Sequence, residues 1–157
     1  MILVNPESRY QDILDKLGPC GLNCEKCFAF SKGPIKKHAA QLSKSLGNFD
    51  MYAQRFVTLL QEPIFEKYPD FKAMLEYFTS ASCDGCRSEA CRLFSGCKVK
   101  DCHVEKEVDF CFQCPEFPCN NTGFDQNLRI RMENINRRMQ EVGVEQYYDE
   151  TKDAPRY

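Results

Sequence analysis

The chain has 157 residues, which fits one ordinary domain and is too short for two full ones. Its hydrophobic fraction of 43% and charged fraction of 28% are those of a globular protein. The formal net charge of −2 gives no general attraction to nucleic acid or to anionic membranes, so neither partner is expected. A protein partner and the oligomeric state are left open.

The N-terminal residues, MILVNPESRY, have no basic region followed by a long apolar stretch, so no secretory signal is predicted. Nowhere do eighteen apolar residues run together, so no membrane span is predicted either. We therefore expect a cytoplasmic protein.

The first predicted element is a helix that begins at Asn5-Pro6, where an Asx side chain can cap and proline fits the first helical position. Gly18-Pro19 ends this helix. Its apolar stripe consists of Tyr10, Ile13, Leu14 and Leu17.

A thiol knuckle is predicted over residues 18–30, with Cys20, Cys24 and Cys27 as candidate metal ligands. The two-residue gap between Cys24 and Cys27 lets one tight turn aim two sulfurs at the same ion. Cys20 is near enough to be a third ligand. Because a tetrahedral ion takes four, a further ligand is expected from a distant part of the chain.

Residues 34–79 contain no cysteine and are predicted to form a helical insert. Its first helix runs from Pro34 to Gly47-Asn48, its second ends at Glu62-Pro63, and its third is capped by Asp70. The third helix is predicted to turn four residues toward a core: Phe71, Met74, Leu75 and Phe78. We interpret the aromatic residues of the insert as core packing rather than a ligand pocket: Phe49, Tyr52, Phe56, Phe65, Tyr68, Phe71, Tyr77 and Phe78.

Eight of the eleven cysteines fall within residues 83–119, which we predict to be a cysteine-rich metal-binding region. Two pairs with two-residue gaps, Cys83/Cys86 and Cys111/Cys114, are each half of a metal site. The other cysteines of this region are Cys91, Cys97, Cys102 and Cys119. The spacing leaves open which cysteines share an ion.

Both histidines have a plain interpretation. His103, beside Cys102, is a candidate nitrogen ligand, although a structural role is favoured. His38 lies within a predicted helix and is expected at the surface.

A last helix is predicted within residues 124–145, with Asp125 as its cap and Gly143 beyond its end. Its apolar stripe consists of Leu128, Met132, Ile135, Met139 and Val142. No segment alternates at a period of two for long. The sequence therefore predicts a mostly α single domain over residues 1–157, with irregular cysteine-rich loops and little or no sheet.

The cysteines favour bound metal over disulfides. A reducing cytoplasm keeps thiols reduced, eleven is an odd number, and several pairs have metal-ligand spacing. We expect two or three zinc ions, with an iron–sulfur cluster as the alternative cofactor.

Four segments together resemble the domain-of-unknown-function 3795 family, a set of small cysteine-rich prokaryotic proteins regarded as zinc-binding. The segments are Cys20-Gly-Leu-Asn-Cys24-Glu-Lys-Cys27, Cys83-Asp-Gly-Cys86-Arg87-Ser88, Gly96-Cys97-Lys98-Val99-Lys100-Asp101-Cys102 and Cys111-Phe-Gln-Cys114-Pro-Glu-Phe117-Pro118-Cys119. The resemblance spans about residues 18–145 and implies that the cysteines of these segments are ligands. Cys91 lies outside the motifs and is the least certain ligand.

Three functions stay open. The first is a zinc-stabilised interaction or regulatory module without chemistry of its own. The second is an iron–sulfur protein for electron transfer or redox sensing. Cys20, Cys24 and Cys27 have the spacing of the radical S-adenosylmethionine motif, but the chain is too short and strand-poor for the barrel of those enzymes. The third is an enzyme with an open metal position at these three cysteines.

Overall fold

The computed structural model describes residues 6–88 and 94–157, and within them the protein is mostly α, as predicted. The helices are α1 (Pro6–Leu14), α2 (Pro34–Leu46), α3 (Phe49–Leu59), α4 (Tyr68–Thr79), α5 (Val99–Glu105), α6 (Gln126–Val142) and α7 (Val144–Thr151). Two short 3-10 helices cover Pro63–Lys67 and Cys111–Gln113.

Strand pairing in the described residues is limited to two isolated bridges, an antiparallel one between Leu17 and Asn23 and a parallel one between Phe30 and Cys83. Both bridges involve the thiol-rich loops. The loops are therefore tied together by a few backbone hydrogen bonds and not by a sheet.

A hydrophobic core joins the two ends of the chain, because α7 packs against both α1 and α6. Its buried members are Ile13, Leu14, Leu17, Phe110, Met139 and Val144. Phe110 comes from the cysteine-rich region, so this core also supports the loop that carries Cys111 and Cys114.

The cap and the apolar stripe predicted for α6 are present. The Asp125 carboxylate accepts a hydrogen bond from the Leu128 N–H at 2.9 Å, which satisfies one orphan donor of the first turn. Met132, Asn136 and Met139 lie on one buried face of the helix. The position of Asn136 was not predicted from the sequence, since a polar residue within an apolar stripe carries no periodic signal.

The helical insert packs mainly on itself, with α2 against α4 and α3 against the 3-10 helix Pro63–Lys67. Aromatic rings fill the space between these helices, and the Phe49 and Tyr68 ring centroids lie 5.1 Å apart. The core interpretation therefore holds for these two residues.

Three predictions for the insert were wrong in detail. Asp70 does not cap α4, because the helix continues from the preceding 3-10 turn and begins at Tyr68, which places Asp70 in the first turn. Of the residues predicted to face a core, Leu75 is buried, but Phe71 and Met74 are 44% and 53% exposed. Tyr52 and Tyr77 are exposed as well. Three short helices bury only one narrow stripe each, so part of the aromatic set remains at the surface.

None of the described helices combines the length and the apolar character that a bilayer crossing requires.

Candidate metal centre

The thiol knuckle is a compact loop closed by backbone hydrogen bonds at the end of α1. The Gly18 N–H donates to the Leu22 carbonyl at 2.8 Å, and the Cys24 N–H donates to the Lys16 carbonyl at 2.7 Å. Cys20, Cys24 and Cys27 are all buried in it. The loop thereby presents its sulfurs to the protein interior.

The Cys83/Cys86 pair is brought to this knuckle by backbone pairing. The Cys83 N–H donates to the Ala29 carbonyl at 2.9 Å, and the Ser31 N–H donates to the Cys83 carbonyl at 2.8 Å. A Cβ atom placed on Gly18 would lie 3.4 Å from the sulfurs of both Cys24 and Cys86. The structure thus joins two CxxC half-sites, which we call thiol cluster 1: Cys24, Cys27, Cys83 and Cys86.

The electrostatics of thiol cluster 1 favour the thiolate form of Cys24. A hydrogen bond from the Cys86 side chain lowers the pKa of Cys24 to about 6, and the Arg156 and Arg87 cations act in the same direction against the effect of burial. A thiolate, and not a thiol, is the form that binds metal.

Arg87 follows Cys86 and ties the site to the surrounding fold. Its Nε donates to the Leu14 carbonyl at 3.0 Å, and its Nη2 donates to the Asp109 carbonyl at 2.5 Å. Its guanidinium lies 5.0 Å from the centroid of the Phe110 ring. Burial lowers the pKa of Arg87, and the neighbouring Asp109 carboxylate partly opposes this shift.

A second group of cysteines lies on α5 and in the segment that follows it, within residues 102–119. Cys102 lies on α5, Cys111 begins the 3-10 helix Cys111–Gln113, and the Cys114 N–H donates to the Cys111 carbonyl at 3.1 Å. These residues and Cys119 line one small cavity of about 30 Å³. We call this set thiol cluster 2: Cys102, Cys111, Cys114 and Cys119.

The sulfurs of thiol cluster 2 lie near enough to disfavour one another's ionisation. Burial raises the pKa of Cys111 to about 12, and Cys20, followed by Cys119, Cys102 and Cys114, adds to this shift. Burial, followed by Cys114 and Cys119, also raises the pKa of Cys102. A bound cation would reverse this repulsion, because positive charge favours the thiolate.

Cys20 and Cys97 belong to neither cluster. Cys20 is buried with Leu22, Val99 and Met132, and Cys97 packs against the same group. Burial raises the pKa of Cys20 to about 12, as it does for Cys111. Cys111 packs against this group as well, so both cysteines lie close to a member of thiol cluster 2, and their predicted role as ligands stays a prediction.

The remaining candidates are placed as follows. His103 lines the cavity of thiol cluster 2, its Nδ1 lies 3.2 Å from the Val108 carbonyl oxygen, and burial lowers its pKa. His38 is exposed, as predicted. Cys91 lies outside the described residues.

The described cysteines form no disulfide. Over residues 6–88 and 94–157, no three Cys, His, Asp or Glu side chains are arranged as a ready metal site. In both clusters, the cysteine side chains would therefore have to move before they could enclose an ion.

Sequence reasoning missed two residues that hold these loops together. The Asn136 amide donates to the Cys20 carbonyl at 2.9 Å and accepts from the Phe112 N–H at 3.0 Å, which links both thiol regions to α6. Arg87 makes the equivalent link to the end of α1. Their partners are backbone groups far away in sequence, so no local pattern signals either role.

The fold and the clusters define a small, cysteine-rich, mostly helical protein. The chain belongs to the DUF3795 family of proteins of unknown function, whose model matches residues 16–124. The family resemblance noted from the four cysteine motifs is thereby confirmed. No curated protein and no solved structure matches the chain.

Proposed function

We propose that the protein binds two zinc ions, one in each thiol cluster, and that the ions fix the cysteine-rich loops so that they act as an interaction or regulatory module. The observation that carries this proposal is that all four cysteines of thiol cluster 2 are among the residues that line one cavity of about 30 Å³. A space of that size suits a single ion or water and excludes an organic substrate.

The donor chemistry supports zinc. Four thiolates form a closed tetrahedral site, which leaves no position for water or substrate and is typical of structural zinc. Thiol cluster 1 supplies two CxxC pairs, and thiol cluster 2 supplies one pair with two single cysteines. Eight ligands serve two ions, and the buried Cys20 and the half-buried Cys97 then remain as thiols outside the sites.

A structural role for the ions is favoured because these loops contain little regular secondary structure. Over residues 18–30, 83–88 and 94–119, regular secondary structure is limited to isolated bridges and short helices. Zinc contributes roughly 10–16 kcal/mol to the folding of small zinc peptides, which is comparable to the whole net stability of an ordinary domain. In the cell, this proposal requires a compartment that keeps thiols reduced, and we propose the cytoplasm.

Elemental analysis of reduced, anaerobically purified protein tests the proposal. We expect about two zinc atoms per chain. Cys24→Ser should lose the ion of thiol cluster 1 and Cys102→Ser the ion of thiol cluster 2, whereas Cys20→Ser should retain both.

Two results would overturn this assignment. Iron with acid-labile sulfide and a brown colour would replace zinc by an iron–sulfur cluster. Full zinc content in both cluster variants would show that other residues bind the metal.

A further inference from the structure

Beyond α7, the chain turns back across thiol cluster 1. The Lys26 ammonium donates to the Ala154 carbonyl at 2.6 Å, the Arg156 guanidinium donates to the Asn23 carbonyl, and the Arg131 guanidinium donates to the Arg156 carbonyl. We call residues 152–157 the strap. Two of these contacts are made with the knuckle that carries Cys24 and Cys27, and the third is made with α6.

Tyr157, in the strap, contacts the Cys27 sulfur. Its hydroxyl accepts a hydrogen bond from the Phe28 N–H at 3.3 Å and donates one to the Cys27 Sγ at 3.7 Å. Its ring centroid lies 6.2 Å from that of Phe28. The hydroxyl is thus oriented by one neighbour while it donates to the other.

Arg156 contributes charge. A zinc ion with four thiolates has a net negative charge, which needs compensation in a poorly hydrated site. Arg156 and Arg87 are cations that act electrostatically on Cys24. Arg87 is fixed by the carbonyls of Leu14 and Leu17, whereas Arg156 belongs to a segment that can be displaced without unfolding a helix.

We infer that the strap gates metal exchange at thiol cluster 1, with Tyr157 and Arg156 as positioning residues that hold the Cys27 sulfur and offset thiolate charge. This inference rests on the proposed function. A strap in place slows zinc release because the Cys27 sulfur is both hydrogen-bonded and covered. A displaced strap exposes that sulfur to competing ligands.

The covering is specific to one cluster. Thiol cluster 2 is bordered by Lys106, whose ammonium pairs with Glu116, whereas the strap bonds Lys26, Asn23, Cys27 and Phe28 of the knuckle and Arg131 of α6. The ion of thiol cluster 2 therefore serves as an internal reference within the same molecule.

Zinc transfer from the full-length protein to a chromogenic chelator tests the inference. We expect Tyr157→Phe and Arg156→Gln each to speed release from thiol cluster 1 by about tenfold, the scale at which outer-shell partners of metal ligands act. Release from thiol cluster 2 should be unchanged. Tyr52→Phe and Arg55→Gln, exposed residues on α3, are matched controls expected to behave like wild type.

The two release phases are assigned with Cys24→Ser and Cys102→Ser, each of which should lack one phase. Unchanged kinetics in both strap variants, or equal acceleration of both phases, would overturn the inference. If wild type carries no metal, the proposed function fails instead.

Alkylation with iodoacetamide, mapped by mass spectrometry, gives a readout that does not depend on metal. In the strap variants, Cys27 should be modified about tenfold faster relative to Cys114, on the same outer-shell scale. An unchanged ratio would show that the strap does not protect Cys27.

Discussion

Gly21 shows how a single residue fixes the thiol knuckle against α6. Its φ of +83° belongs to the left-handed region, and a Cβ atom there would lie 2.3 Å from Ile135 Cγ2 and 2.8 Å from Met139 Cε. No side chain fits without moving the knuckle away from the helix.

We therefore expect Gly21→Ala to lower the free energy of unfolding by about 2–4 kcal/mol, from backbone strain together with overpacking. Urea denaturation measures it. Gly47→Ala is the matched control, because Gly47 also has a positive φ but a Cβ atom there would meet nothing within 4 Å. Equal losses in both variants would show that the clash contributes nothing.

Replacement of individual cysteines by serine should lower stability by different amounts, depending on whether the cysteine is a proposed ligand. Cys83→Ser and Cys114→Ser each remove one ligand of a proposed zinc site, so both should unfold the loops of the cysteine-rich region. Cys91→Ser is expected to be mild, since Cys91 lies outside the cysteine motifs. Circular dichroism melts and limited proteolysis compare the three, and equally small effects would argue against these ligands.

At the scale of elements, α6 is the support on which both thiol regions rest. Asn136 on its buried face bonds the Cys20 carbonyl and the Phe112 N–H. A buried amide that makes these bonds specifies how the loops lie against the helix, because each bond has a fixed direction.

Asn136→Leu should cost about 2–4 kcal/mol of unfolding free energy, since two buried backbone groups lose their partner. Chemical denaturation measures the loss. Asn134→Leu, an exposed change on the same helix, should be close to neutral. A small loss at Asn136 would mean that water replaces the amide.

At the scale of the whole molecule, the insert and the thiol-rich body depend on metal to different degrees. The α2–α4 contacts and the aromatic cluster around Phe49 involve no cysteine. The described parts of the knuckle and the cysteine-rich region contain no sheet, and their longest helix is the seven-residue α5.

Chelation of a zinc-loaded sample should therefore lower the melting temperature and raise amide exchange in residues 18–30 and 94–124, while α2 and α4 stay protected. Hydrogen exchange with mass spectrometry resolves these segments. If chelation leaves both melting and exchange unchanged, the metal has no structural role.

The sequence by itself determined the helices with clear local signals, as α2 and α6 show: proline or a capping carboxylate begins them and glycine follows them. It also determined the motif set that places the chain in its family. The short helices α5 and α7 were not predicted from the sequence, because seven or eight residues offer too little periodicity.

The tertiary structure alone decided which cysteines meet. Spacing within one CxxC pair is local and can be read directly, but Cys24 approaches Cys86 only because the backbone around residues 29–31 pairs with Cys83. The strap over Cys27 and the amide of Asn136 depend in the same way on contacts between distant segments. Such contacts follow from packing of the folded chain, which no local periodicity encodes.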